Sequence, residues 1–218
     1  MFEIFSLPVI ERLLKGLYST LEISFVSIAV SSFFGLILGI LMNSQKQWLY
    51  LMCRFCLEFV RIMPLIVWLF LVYFGFSRWF GLNLSAISSA ILVFSLWGTF
   101  EMMDLVRASL KSIPKHQFEA GLSLGLHSTE VYFYVIIPQA FRRLTPMSMN
   151  LFTRMIKSTT FAYLIGVVEL VAVGKQIIEF NHKYVYAPLM VYGLIFFIFF
   201  LICYPITLYS KKLEQKWS

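Results

Sequence analysis

Charge is what this chain has least of. Acidic and basic residues make up 13% of its 218 residues, about half the share that a water-soluble surface carries, and that shortage excludes an ordinary soluble domain. Cysteine is scarce as well. Cys53, Cys56 and Cys203 form no disulfide framework, and Cys53 with Cys56 is a lone C-x-x-C without the second ligand pair of a zinc site, so apolar packing is expected of all three. His116, His127 and His182 have no spacing that gathers them around a metal. No G-x-x-x-x-G-K-[ST] pattern is present, which excludes a phosphate-binding loop on this chain. No acid, base and nucleophile converge, so no catalytic residue is assigned. The absence of low-complexity linkers and of solenoid repeats points to one helical membrane domain. No short apolar segment ends in a small-residue cleavage site, and Glu3 and Glu11 precede the first apolar run, so the N-terminus is expected to stay attached.

What the chain has instead is 60% hydrophobic content with 23 Phe, ring surface that lipid accepts and a water-soluble core of this size could not hide. Uncharged runs at 23–45, 79–100 and 184–210 each reach the roughly 20 residues that a helix needs to cross hydrocarbon. A shorter run at 62–77 spans if Arg61 and Arg78 snorkel to the headgroups. A fifth apolar segment, 147–168, is interrupted by Arg154 and Lys157. The expectation is an all-α membrane protein of about five transmembrane helices at 17–45, 60–80, 84–107, 147–168 and 186–210, in one domain over 17–210. Residues 1–16 read as an amphipathic lead, and 50–58 as a segment along the membrane surface, since Arg54 and Glu58 share a face at i, i+4.

The formal charge of +7 is distributed by topology. Lys46 and Arg54, then Arg107, Lys111, Lys115, Arg142 and Arg143, then Lys211, Lys212 and Lys216 fall on one side of the spans. The loops on the other side hold Arg78, Lys175 and Lys183. The positive-inside rule therefore places the N-terminus outside and the C-terminus in the cytoplasm, with lipid and not nucleic acid as the partner of the basic surplus.

Between the third and fourth spans the stretch 112–139 is too patterned for a flexible loop. Pro114 suits a first helical turn, Phe118 and Leu122 share a side, and Gly125 is placed for a left-handed cap. Ser128 is placed to cap a second helix with Glu130 in its first turn, and Pro138 to close the apolar run 131–137. The result is a cytoplasmic helix-turn-helix with small Ala120 and Gly121 on its first helix. Small residues admit another backbone, Glu119 can hold a basic group, and Phe118 and Leu122 can fill an apolar cleft. A docking element and a surface hairpin without a partner both fit these residues.

Glu119, Ala120 and Gly121, then Gly125, Val135, Ile137 and Pro138 resemble the EAA loop of ABC-importer permeases, whose pattern is E-A-A, three residues, G, nine residues, I, one residue, L-P. Further motifs are similar to the polar amino acid branch: Thr20-Leu21-Glu22, Glu58-Phe59 with Arg61, Pro64 and Leu65, Asp104 with Arg107, Ile113-Pro114, and Asn150, Lys157, Thr159, Gly166, Glu169 and Leu170. Glu101 stands where that branch usually has an aromatic residue, Met63 replaces a Thr, and Ser158 replaces an acid. The resemblance covers almost the whole chain. It implies a type I importer permease of the bacterial inner membrane whose coupling loop, Glu119, Ala120, Gly121, Gly125 and Pro138, rides in a groove of a cytoplasmic ATPase dimer. ATP and Mg would be held by that partner, and no cofactor by this chain. A second permease copy or a sister permease would complete the path, and an external binding protein would deliver a polar amino acid. The alternative reading is an ion-driven amino acid carrier.

Counting from Leu84, Glu101 lies about 25 Å and Asp104 about 30 Å along the third span, so Asp104 and Arg107 are expected to form an i, i+3 pair near the cytoplasmic boundary rather than to contact substrate. Arg154 and Lys157 lie roughly 10 to 15 Å inside the fourth span, where water or an anion is required. They either meet a substrate carboxylate or pair with Glu101, and the three are the candidate substrate pathway. Glu22 is expected to be solvated at the outer surface. Ser24, Ser27, Ser31 and Thr159 are expected to bond back to helix backbones.

Overall fold

The computed structural model describes residues 6–44, 46–81 and 83–217, with the side chains of all but Ser77 and Phe80. The first five residues of the expected lead, Glu3 among them, and Gln45 at the end of the expected first span lie outside the described residues. Among those described there is no strand. The helices are α1 (Leu7–Met42), α2 (Gln47–Ile62), α3 (Leu65–Phe70), α4 (Phe76–Phe80), α5 (Ala86–Lys111), α6 (Lys115–Ser123), α7 (Ser128–Val131), α8 (Ile137–Ser158), α9 (Leu170–Phe180) and α10 (Ala187–Trp217). A π turn at Leu71–Gly75 joins α3 to α4, another at Tyr132–Ile136 joins α7 to α8, and a 3-10 segment at Thr159–Ile165 extends α8.

Three helices, α1, α5 and α10, are long and apolar enough to cross a membrane, and two bent pairs raise the number to five if each is one span. The first three coincide with the longest uncharged runs. The bent pairs are α2 with α3 and its π turn, broken at Pro64, and the helix from α7 through the 3-10 segment with α9, broken after Gly166. Pro64 forces the break because the residue before a proline is driven out of the helical region. Gly166, at φ +91, ends the 3-10 segment in the left-handed conformation that side chains resist.

Two expectations change and one gains detail. The lead is not a separate segment: α1 begins at Leu7, with Pro8 tolerated in its first turn, and the Lys15–Glu11 ion pair at 2.6 Å sits on the same continuous helix. Residues 50–58 belong to α2, whose inner face buries Cys53 and Leu57 against Met42 and Met103, while Arg54 donates to the Tyr50 hydroxyl at 3.0 Å. α9 lies where a loop was expected. Its signal was present in Leu170, Val173, Gly174 and Ile177, an i, i+3, i+4, i+7 stripe that the structure buries, with Glu169 as an acidic cap ahead of it.

The chain divides into two units. One comprises the described residues of 6–29, 63–96 and 153–205. In it Ile23, Leu69, Val72, Phe94 and Ala162 share one apolar cluster, and Leu13, Val173, Ile177, Val191 and Ile195 share another. Ser24 donates to the Thr20 carbonyl at 2.6 Å, Ser27 to the Ile91 carbonyl at 3.4 Å and Thr159 to the Ile156 carbonyl at 2.7 Å, as expected of hydroxyls in spans. The other comprises the described residues of 30–62, 97–152 and 206–217. Here α1 and α5 approach through Gly35 and Gly39. A Cβ on Gly35 would lie 2.5 Å from the Met102 Cβ and 3.0 Å from the Thr99 carbonyl oxygen, and one on Gly39 would lie 2.9 Å from the Met103 carbonyl oxygen. Small residues one turn apart thus set the spacing of two apolar helices that gain nothing from excluding water.

Candidate functional site

The hairpin between α5 and α8 is built from its turn outward. Gly125 adopts φ +84, and its N–H donates to the Leu122 carbonyl at 3.0 Å while the Leu126 N–H reaches back to the Gly121 carbonyl at 3.3 Å. That pair of bonds is a Schellman motif, which satisfies the last carbonyls of α6. Pro114 stands at the start of α6 in an extended conformation. The cap of α7 falls one residue earlier than Ser128, at His127, because the Glu130 carboxylate accepts from the His127 N–H at 2.7 Å.

Packing within the hairpin reassigns two side chains. Gly121 is buried, and a Cβ there would stand 2.7 Å from a Val131 methyl, so the small residue admits the second helix of its own hairpin. Phe118 packs on Tyr132, ring centroids 5.4 Å apart. Glu119, Ala120 and Leu122 remain exposed. So do Leu124, 82% exposed, and Tyr134, 76% exposed, two apolar side chains that the sequence pattern does not single out.

Pro138 does not close the helix, which runs on through it to Ser158. A helical proline clashes with the carbonyl four residues back, here that of Tyr134. Tyr134 lies inside the π turn, whose wider winding carries that carbonyl away from the ring. Gln139 then donates its side-chain amide to the Val135 carbonyl at 3.0 Å, and Arg143 donates to the Ser112 carbonyl at 2.6 Å, fastening α8 to the end of α5.

The charges sort into two groups. Asp104 and Arg107 form the expected pair, at 2.6 Å. Arg61 joins them: its Nε donates to Glu101 at 2.7 Å and its Nη2 to Asp104 at 3.0 Å. The residue expected to snorkel toward headgroups is thus bound to α5, in a cluster of two guanidinium groups and two carboxylates. Attraction between opposite charges in a medium of low dielectric outweighs stretching to the surface. Arg154 and Lys157, by contrast, are exposed at i, i+3 on α8, while Thr153, Met155 and Ile156 beside them are buried. Glu101 is engaged by Arg61, and Arg154 and Lys157 share an exposed face of α8.

Thr20 and Glu169, both motif residues, meet at the start of α9. The Thr20 hydroxyl donates to the Gly16 carbonyl at 3.0 Å and accepts from the Leu170 N–H at 3.2 Å. The Glu169 carboxylate accepts from the Val171 and Ala172 N–H groups at 2.9 and 2.7 Å. Together they satisfy the first donors of a helix that begins deep in the protein. Among the described residues no group of three His, Cys, Asp or Glu could hold a metal ion.

Residues 32–213 match the family of binding-protein-dependent transport system inner membrane components. The probable glutamine ABC transporter permease protein of Bacillus subtilis (strain 168) is 31% identical over 204 residues, covering 92% of this chain and 91% of the relative. The L-cystine transport system permease protein of the same strain is 31% identical over 201 residues, covering 92% and 84%. Among solved structures, an amino acid ABC transporter crystallised with histidines is similar at TM-score 0.83 and 24% identity, over 93% of this chain and 94% of that one. An inward-facing methionine ABC transporter is similar at TM-score 0.77 and 18% identity, over 98% and 100%.

Proposed function

Since this chain belongs to the family of binding-protein-dependent transport system inner membrane components, we propose that it forms part of the path by which a polar amino acid crosses the inner membrane, with its N-terminus outside and its C-terminus in the cytoplasm. It is a permease subunit of an ABC importer, non-catalytic, and powered by ATP hydrolysis on a separate subunit. The ion-driven carrier finds no support. Glutamine and cystine in the names of the two relatives favour a polar amino acid as cargo. An ATPase dimer holding ATP and Mg, an external binding protein and a second permease, identical or sister, complete the importer.

The hairpin carries this reading. Its turn is fixed by Gly125, and Glu119, Ala120, Leu122 and Leu124 stand exposed around it, a small, partly apolar surface suited to an ATPase groove. Gly121 and Pro138 serve it from within, the first by seating α6 on Val131, the second at the junction where the hairpin becomes α8. Closure of the ATPase dimer on ATP then favours one of two arrangements of the spans, which is alternating access by rigid-body movement. Gly125→Val tests it: forcing a β-branched residue into the left-handed region costs about 1–2 kcal/mol. The variant is expected to reach the membrane in normal amount, to lose the co-purifying ATPase and to lose ATP-driven uptake. Retention of both would refute the docking role.

The exposed pair on α8 supplies the path. A lysine or arginine facing acyl chains at mid-span costs about 3 kcal/mol or more, so the face bearing Arg154 and Lys157 meets water or the second permease. In that path the two cations receive the carboxylate of the amino acid, and Glu101 serves through its bond to Arg61. Replacing Arg154 and Lys157 together by Ala should lower uptake at limiting substrate about tenfold or more, the scale of one lost charge-assisted contact, with the ATPase still bound. Unchanged uptake kinetics would remove both residues from the path.

A further inference from the structure

In the unit that carries the hairpin, a cleft of ≈ 500 Å³ opens between the end of α5, α8 and the end of α10. Its rim carries Ser112, Arg142, Arg143, Glu214 and Trp217, and Asn150 lies further along α8. Its floor is apolar, with Ala108, Pro146 and Met147. Pro146 is held there by a bond from the Ser210 hydroxyl to its carbonyl at 2.9 Å, which ties α10 to α8 beside the cleft. Arg143 spends one donor on the Ser112 carbonyl and keeps others, a guanidinium having five. Arg142 is exposed and, among the described residues, has no ion pair.

We infer that this cleft binds the headgroup of a glycerophospholipid, its phosphate on Arg142 and Arg143 and its terminal donor, an ammonium or a hydroxyl, on Glu214. The inference rests on the reading of α5, α8 and α10 as membrane spans, because that reading puts their ends, and so the rim, at headgroup depth. Three features select this ligand. Guanidinium groups match phosphate oxygens in pairs. An indole with an apolar face and a polar edge belongs at the membrane–water boundary, where Trp217 ends α10. A purely anionic ligand would leave the rim carboxylate opposed, whereas a headgroup that carries a donor satisfies acid and base at once. The apolar floor suits the glycerol and the first methylenes of the acyl chains, and basic pockets between span ends are a recurrent form of lipid site.

The experiment uses the complete importer with its ATPase, delipidated in detergent and titrated with phosphatidylethanolamine, phosphatidylglycerol or phosphatidylcholine while bound lipid is counted by native mass spectrometry. The first two carry a terminal donor and the third does not, so the wild type is expected to retain either of the first over the third, and the stronger of the two identifies the source. Arg142→Gln should weaken retention about tenfold, the scale of one charge-assisted contact. Glu214→Gln should erase the preference over phosphatidylcholine, and Lys212→Gln, a basic change on α10 outside the cleft, should do neither. Equal retention by Arg142→Gln and wild type would overturn the inference. So would an equal loss in Lys212→Gln, or crosslinking of a cysteine placed at Arg142 to a second permease subunit lying in the cleft. Monodisperse elution of each variant separates a lost site from a lost fold. ATP-driven uptake by the same wild-type complex, reconstituted into sealed liposomes, tests the transport reading independently, so a complex that transports but holds no lipid here sinks this inference alone.

Discussion

Gly39→Leu is expected to prevent accumulation of the folded chain in the membrane. The Met103 carbonyl oxygen stands 2.9 Å from where even a Cβ would be, and a carbonyl on a packed helix cannot turn aside as a side-chain tip can. Four added carbons therefore have to push α1 from α5. That separation removes the close contact of Gly35 with Met102 in the same movement. Overpacking of a core costs about 1–3 kcal/mol where neighbours can shift, and backbone blocked by backbone should exceed that range. Gly193→Ala is the matched control, since nothing lies within 4 Å of a Cβ at that position. The measurement is the amount of monodisperse protein recovered from membranes: near zero for Gly39→Leu and unchanged for Gly193→Ala. Normal recovery of Gly39→Leu would mean that α1 and α5 are not held at this spacing.

Arg61→Leu should have the second largest effect. It removes one of the two cations in the cluster and leaves Glu101 and Asp104 with Arg107, a net negative group inside an apolar unit. Breaking a buried ion pair costs about 3–5 kcal/mol, and an exposed pair contributes about 1 or less. With the Arg61 side chain 36% exposed and that of Glu101 11% exposed, a loss of about 2–4 kcal/mol is expected. The decisive comparison is the double variant Arg61→Leu with Glu101→Leu, which restores one cation to one anion and should regain most of the loss in thermal unfolding. If the double variant is the sum of the two singles, the residues are not coupled, and Arg61 stabilises α2 by other means.

Residues far apart in sequence are where sequence reasoning stops. Arg61 lies 40 and 43 positions from its two acidic partners, and no periodicity within one helix points across that distance. Asp104 with Arg107 was legible because both partners lie on one turn. The spans were legible as uncharged runs, and the turn at Gly125 because a glycine following an amphipathic stretch has a local reason to be there. Gly35 and Gly39 were visible as letters, but which helix they admit is a property of the packed unit. α9 was passed over because Lys175 reads as a loop charge between two spans; in the structure it lies within the helix, its ammonium over the Tyr163 ring, 4.7 Å from the centroid. Pro138 misled because the rule that proline ends helices assumes regular winding ahead of it, and the π turn breaks that assumption.

That π turn also decides how the hairpin is joined to α8. Because the helix absorbs Pro138 instead of stopping, the hairpin's second arm runs into the body of α8 with no loop between them. A flexible joint would dissipate a small displacement imposed at the tip. A continuous rod passes it along its length, as a crankshaft does. The extra residue in the winding sets the angle of that crank, since each helical residue advances about 100° around the axis. Deleting one residue from the turn would rotate the hairpin about the axis of α8 and return the Pro138 ring to the carbonyl four residues back.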